Sequence, residues 1–165
     1  MSETETTTID MTDGMLGETP AQDAVPAEPI VLPKIDGYIQ SVGRRKTATA
    51  RIRMFDAKKM SIIVNDKKVS EYFPTEELVK IVHEPFTKTK IDDQFEITVI
   101  VRGGGIHAQA EAIRHGIARA LTALSEEQLR SPLKKQGLLK RDPRKKERKK
   151  PGLRKARKSA QWSKR

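Results

Sequence analysis

The sequence predicts a mixed α/β domain of the α+β type, a sheet backed by helices, set between a disordered N-terminal arm and a long basic C-terminal tail. Three observations carry that prediction. Ala48, Ala50, Ile52 and Met54 alternate with Thr49, Arg51 and Arg53, the period-two signature of a half-buried strand whose outer face is cationic. Residues 95–101 are almost wholly apolar or β-branched, as expected of a strand central in a sheet or covered on both faces. Ile106, Ile113, Ile117, Leu121 and Leu124 recur at helical spacing and draw one apolar stripe along about 20 residues.

The elements follow in chain order. Residues 1–36 hold eight acids and the single base Lys34, a net of −7, with Pro20, Pro26, Pro29 and Pro33 in the second half. Such a composition buries too little apolar surface to offset its ordering entropy, so it reads as a disordered, solubilising arm. A transit peptide would be Arg-rich and poor in acids. From Tyr38 to Val42 the chain alternates loosely and then meets Arg44-Arg45-Lys46. Ser61 to Val64 is a short β-branched strand, closed by an Asn65-Asp66 turn. Thr75, with Glu76 and Glu77 behind it, starts a helix through His83 that Pro85 should end.

Gly103-Gly104-Gly105 then opens the strongest helix, which carries a second stripe of small residues, Ala108, Ala112, Gly116 and Ala120. Those small residues admit the close approach of another backbone, a strand or an RNA. Ser125 with Gln128 fits a capping box for a further short helix. The body is therefore residues 37–129, enough for one modest core. From Arg130 the apolar period fails, and residues 130–165 carry 17 basic residues against Asp142 and Glu147, a net of +15. Alone in water that tail is self-repelling and disordered.

The composition excludes several classes of function. With no cysteine there is no disulfide framework, thiol nucleophile or thiolate metal site. No apolar run approaches the roughly 18–20 residues of a membrane span, and no secretory signal is visible, so the expectation is a soluble intracellular protein. His83, His107 and His115 form no i, i+4 pair; His107 and His115 stand about 12 Å apart by helix rise. The Gly103–Gly105 turn has neither the phosphate-loop nor the dinucleotide spacing and reads as a tight strand-to-helix connection, with an RNA phosphate as its possible occupant. Asp92-Asp93 and Glu76-Glu77 fit a turn and a helix start better than acid–base work. No nucleophile, base and orienter form a set, so no enzyme, cofactor or metal is expected.

The tail gives the strongest physical signal. Holding +15 within 36 residues is costly unless polyanions neutralise it, and phosphate binding gains by counterion release. Fully extended, residues 140–165 reach on the order of 80–90 Å, far enough to thread into a folded RNA. Trp162, the only tryptophan, is placed to stack on a base or to dock in a crevice.

At this point the residues resemble a known family. Ser-Val-Gly-Arg-Arg-Lys-Thr-Ala-Thr-Ala-Arg at 41–51 is similar to the opening of the universal S-nine family of the small ribosomal subunit, bacterial type. The run from Gly103 to Leu121 resembles its signature, and 152–158 with Ser163-Lys164-Arg165 resembles its C-terminal ending. The likeness covers residues 38–165 in the right order. It implies a two-layer fold like the second domain of ribosomal protein S-five. It also implies a body on the subunit head, among neighbouring head proteins, bound to the 3′ domain of the 16S-type rRNA.

Matched residue by residue, the resemblance gives Arg44, Arg45, Lys46, Arg144, Lys145, Lys146, Arg148, Lys149, Lys150, Arg154, Lys155, Arg157 and Lys158 as rRNA contacts. The cationic strand adds Arg51. Ser163, Lys164 and Arg165 would reach the anticodon arm of peptidyl-site tRNA, with Arg165 on a phosphate. The acidic arm lies outside the resemblance, and Trp162 stands where a smaller aromatic is usual. The competing readings are a non-ribosomal architectural or chaperone-like nucleic-acid binder and, from another class, a small phosphotransferase of the same broad fold.

Overall fold

The computed structural model describes residues 32–91 and 95–163. Residues 1–31, with most of the acidic arm, lie outside them, as do Asp92 and Asp93 and the tail ends Lys164 and Arg165.

β1 (Ile39–Arg45) and β2 (Ala48–Asp56) form a hairpin closed by Lys46-Thr47, with Lys46 at φ 51°. β3 (Ser61–Val64) and the two-residue β4 (Lys67–Lys68) form a second hairpin. Its turn residues Asn65 and Asp66 have φ of 45° and 68°, left-handed conformations that Asn and Asp tolerate best among residues with a Cβ. Two helices follow, α1 (Val69–Tyr72) and α2 (Glu76–Thr89), and the chain returns through β5 (Phe95–Arg102). The last helices are α3 (Ile106–Leu124) and α4 (Glu126–Lys135). The sheet runs β1-β2-β5-β3-β4, antiparallel except for the parallel β3/β5 pair. It is a mixed sheet with helices packed on one face, a two-layer α+β fold.

Strand alternation decides which side chains meet the helices. Ala48, Ala50, Ile52 and Met54 of β2 and Phe95, Ile97, Val99 and Val101 of β5 are buried. They pack against Val82 and Phe86 of α2 and Ile113, Ile117 and Leu121 of α3. Burying each Ile, Val, Leu, Met or Phe of this set contributes about 1.5–3 kcal/mol. The Asn65 side chain extends the β3/β5 ladder by pairing in both directions with the Val101 backbone, at 3.0 Å each way.

The small-residue stripe meets a strand. A Cβ built on Gly43 of β1 would lie 1.8 Å from the Ala112 carbonyl oxygen and 2.5 Å from the Gly116 nitrogen. The Ser41 hydroxyl donates to the Gly116 carbonyl at 2.8 Å. α3 also covers the outer edge of β1: Arg119 donates to the Val42 carbonyl at 2.6 Å, and the Arg44 N–H points at Nδ1 of His115, 3.4 Å away. An edge strand left open would be a template for pairing with another chain.

Several elements differ from their sequence expectations. Of the two alternatives for β5, it is the central one that holds: Ile100 is exposed, so the strand is covered on one face only. α2 runs past Pro85 to Thr89, because Val82, Phe86 and Thr89 continue a buried face that outweighs the lost proline N–H bond. Ile106 is half exposed and belongs to the helix entrance rather than the stripe. Ser125 makes no side-chain cap; its backbone ends α3 through a bond to the Leu121 carbonyl, and its own carbonyl accepts from Leu129. Leu32 and Ile35, assigned to the arm, pack against the core, as do Leu133 and Leu138, assigned to the tail.

Replacing Gly43 by Ala forces two backbones apart. Overpacking of this kind costs about 1–3 kcal/mol or more, so the Gly43→Ala melting midpoint should fall by roughly 10 °C. Gly105→Ala, at φ −99° with open space around its Cβ, should cost under about 1 kcal/mol. Thermal denaturation of both proteins checks the contrast.

Candidate nucleic-acid interface

The face of the sheet away from the helices is built by the other half of each alternation. Register sets Arg44 opposite Thr49 and Thr49 opposite Arg102, with Val42, Arg51 and Ile100 in the next row and Gln40, Arg53 and Thr98 beyond. Arg44, Arg51 and Arg102 thereby line one shallow concavity of about 380 Å³ with Val42, Thr49 and Ile100. Among the described residues none of these three arginines has a carboxylate partner. Glu96, on this face, lies at its other end, while Asp66 shares a neighbouring concavity with Thr98, Ile100 and Arg102. Arg53 sits with its guanidinium 5.4 Å over the Tyr38 ring, and Tyr38 packs against Phe55. Clustered cations beside aliphatic and threonine side chains suit a sugar–phosphate backbone.

The basic run 44–46 splits three ways. Arg44 ends on the open face and Lys46 is exposed in the turn, but Arg45 points to the helix side and is 8% exposed. Its Nε donates to Glu111 at 2.7 Å, Nη2 meets Asp142 at 3.1 Å, and Nη1 donates to the Arg144 carbonyl at 2.6 Å. Arg45 is thus placed inside the protein, apart from the cations it adjoins in sequence.

A second basic concavity, about 800 Å³, lies between α3, α4 and the start of the tail. Arg119, Arg130, Lys134 and Lys140 line it, with Glu126 and the apolar Ala123 and Leu139. At its edge the ring of His115 lies between β1 and the tail, with Nε2 3.3 Å from the Leu139 carbonyl and Nδ1 facing the Arg44 N–H. That arrangement fits the neutral Nε2–H tautomer. Burial is the main cause holding the His115 pKa below its ordinary 6.5, and Arg119, Arg114 and Arg141 act in the same direction.

The tail carries no helix or strand from Arg141 to Ser163. Lys145, Lys146, Arg148, Lys149, Arg154, Lys155 and Lys158 are exposed and, among the described residues, lack a carboxylate partner. Arg144 pairs with Asp142 at 2.7 Å, while Lys150 and Arg157 both meet Glu147. The Arg144 side chain, then its backbone N–H, holds the Asp142 carboxyl down at about 2. Ser163 is exposed, and Trp162 is 85% exposed among the described residues.

Sequence reasoning missed Arg102, Arg119 and Arg141 as interface residues. Arg102 was within reach, since it continues the outward alternation of β5. The positions of Arg119 and Arg141 depend on how α3 and the tail lie against β1, for which no local pattern exists. The triple glycine is a packing device: Gly103 and Gly104 take φ of 74° and 68°, and a Cβ on either would meet Thr47 or Ala48 within 3 Å. Among the described residues no three His, Asp or Glu side chains gather as metal ligands, and no helix is long and apolar enough to cross a membrane.

His115 gives the stability of the fold a pH dependence. A folded-state pKa below the unfolded value means that the unfolded chain binds the proton more readily. The stability contribution is therefore complete above about pH 6.5 and declines as pH falls through that value. His115→Gln should flatten that part of the decline, checked by melting midpoints of both proteins between about pH 7.5 and 5.5.

The open face, the groove and the tail each gather cations, and apart from Tyr38, Gln40 and Val42 the residues named in them lie within a match to known proteins. The family model for ribosomal protein S9/S16 matches residues 43–165, from β1 to the last residue of the tail. With about three quarters of its length inside that match, the chain belongs to the ribosomal protein S9/S16 family and is a protein of translation.

Proposed function

We propose that this protein is a structural component of the small ribosomal subunit that binds the 3′ domain of the rRNA in the subunit head, beside neighbouring head proteins. Its tail threads through that RNA and presents Ser163, Lys164 and Arg165 to the anticodon arm of peptidyl-site tRNA. The RNA performs decoding; the protein contributes shape and charge, without cofactor or catalysis, in the cytoplasm and away from membranes. The observation that carries this reading is the pairing of an arginine cluster on the sheet, Arg44, Arg51 and Arg102, which forms no ion pair among the described residues, with a tail of exposed cations.

The division of labour follows from stiffness. The sheet holds its arginines at spacings fixed by strand register, so it recognises a phosphate arrangement that is itself fixed. The tail has no secondary structure to resist the path of the RNA, so it follows grooves a globular body cannot enter. The candidates Lys145, Lys146, Arg148, Lys149, Arg154, Lys155 and Lys158 are available on it, and Arg144, Lys150 and Arg157 exchange their carboxylate partners for phosphate.

Two measurements test this reading. Arg51→Ala with Arg102→Ala should reduce the log–log salt slope of binding to a 3′-domain rRNA fragment by roughly 1.4–1.8 if each arginine meets one phosphate. An unchanged slope removes the sheet face from the interface. A chain ending at Ser163 should still join the subunit but release peptidyl-site tRNA faster; equal tRNA dissociation from mutant and parental subunits refutes the assignment of Lys164 and Arg165.

A further inference from the structure

We propose that Arg45, Glu111 and Asp142 form a clasp that fixes the direction in which the tail leaves the body before any RNA is bound, making Arg45 a positioning residue rather than a phosphate contact. The inference rests on the tail's being the RNA-binding limb, but its geometry is internal to the chain. Three elements converge on one guanidinium. Arg45 ends β1, Glu111 stands on α3, and Asp142 and the Arg144 carbonyl belong to the tail. The guanidinium fork is planar and its donors are fixed relative to one another, so meeting all three partners sets their relative positions.

Asp142 shapes the tail as well as holding it. Its Oδ1 accepts the Arg144 N–H at 2.8 Å, across Pro143, a side-chain turn with a proline inside it. Just before it, Arg141 donates to the Lys46 carbonyl at 3.4 Å and His115 meets the Leu139 carbonyl. Residues 139–144 are therefore tied to α3 and to the β1–β2 turn at successive points. Beyond Arg144, among the described residues, the hydrogen bonds and ion pairs of the tail are internal to it: Glu147 with Lys150 and Arg157, and the Arg154 N–H with the Lys158 carbonyl. The clasp is the last attachment, and residues 145–163 swing from it.

Charge makes the arrangement informative. Asp142 and Glu147 are the only acids in residues 130–165, and each lowers the attraction of the tail for phosphate. If charge alone governed binding, neutralising either acid would tighten RNA binding. The clasp predicts opposite behaviour at the two positions. Loss of Asp142 frees the exit of the tail and adds ordering cost on binding, whereas Glu147 lies beyond the last attachment and contributes nothing to the exit direction.

The chain has no cysteine, so a label pair is introduced cleanly by Gln128→Cys on α4 and Lys146→Cys just past the clasp. In the full-length free protein, the distance distribution between spin labels at these positions should be narrow. It should broaden at least twofold in Asp142→Ala and in the charge-conserving Arg45→Lys, and stay narrow in Glu147→Ala. Affinity for a 3′-domain rRNA fragment at fixed salt should fall at least threefold in Asp142→Ala and rise in Glu147→Ala. Equal widths in Asp142→Ala and Glu147→Ala overturn the clasp, whatever the RNA binding. If no variant nor the parent binds the rRNA, the proposed function fails while the label distances still decide the clasp.

Discussion

The structure depends on how closely α3 approaches β1. Without a side chain at Gly43 or Gly116, the helix backbone comes near enough for Ser41 to donate to a helix carbonyl. At that separation the long side chains of α3 reach past the strand. Arg119 and His115 satisfy its outer edge, and Glu111 lies beside the inward guanidinium of Arg45. A wider spacing would leave the edge of β1 open and the Arg45 charge without its partner. The packing contact between two glycines therefore also positions the cations at the top of the sheet and the first anchored residues of the tail.

Strand periodicity then sorts charge by parity. Arg44 and Arg45 are neighbours with identical side chains, yet one faces solvent across the sheet and the other faces α3. Burying an arginine is tolerable only because two carboxylates and a carbonyl surround it; a buried ion pair is otherwise weak evidence for stability. The outward arginines have the opposite surroundings. Arg44, Arg51 and Arg102 share one end of the open face, away from Glu96 and with Asp66 in the concavity beside Arg102, so their mutual repulsion is relieved chiefly by water and salt.

The parts of this arrangement legible in the sequence are those encoded by local period. The alternation through β2 and the stripe of α3 each repeat several times within a short window, and the strand and helix stand where those patterns put them. The glycine turn and the Asn65-Asp66 turn were legible for the same reason, through their local backbone demands. Pro85 misled because its local penalty is real, but Phe86 and Thr89 on the buried face of α2 outweigh it. The role of Arg45 was out of reach. Its partners lie 66 and 97 residues away, and nothing in the run Arg44-Arg45-Lys46 marks the middle residue as different. The same holds for Leu32, Ile35, Leu133 and Leu138, single apolar residues in polar segments, whose burial depends on where the chain passes over the core.

The two acids of the tail bear on how a highly charged segment meets an RNA. A chain of cations with no internal order would have its whole conformational entropy to lose on binding, at about 1–2 kcal/mol for each residue fixed. Asp142 turns the chain at its root, and Glu147 draws together Lys150 and Arg157 around the Pro151-Gly152 turn, where Gly152 takes φ 78°. Exposed pairs such as those of Glu147 are weak and salt-screened, so phosphate can displace them, whereas Asp142 shares its bonds with a guanidinium that the fold has already buried. On the proposed reading these acids divide the tail into a root whose direction is set by the body and an outer part whose path is set by the RNA. The limb is therefore aimed by its clasp and shaped only where it makes contact.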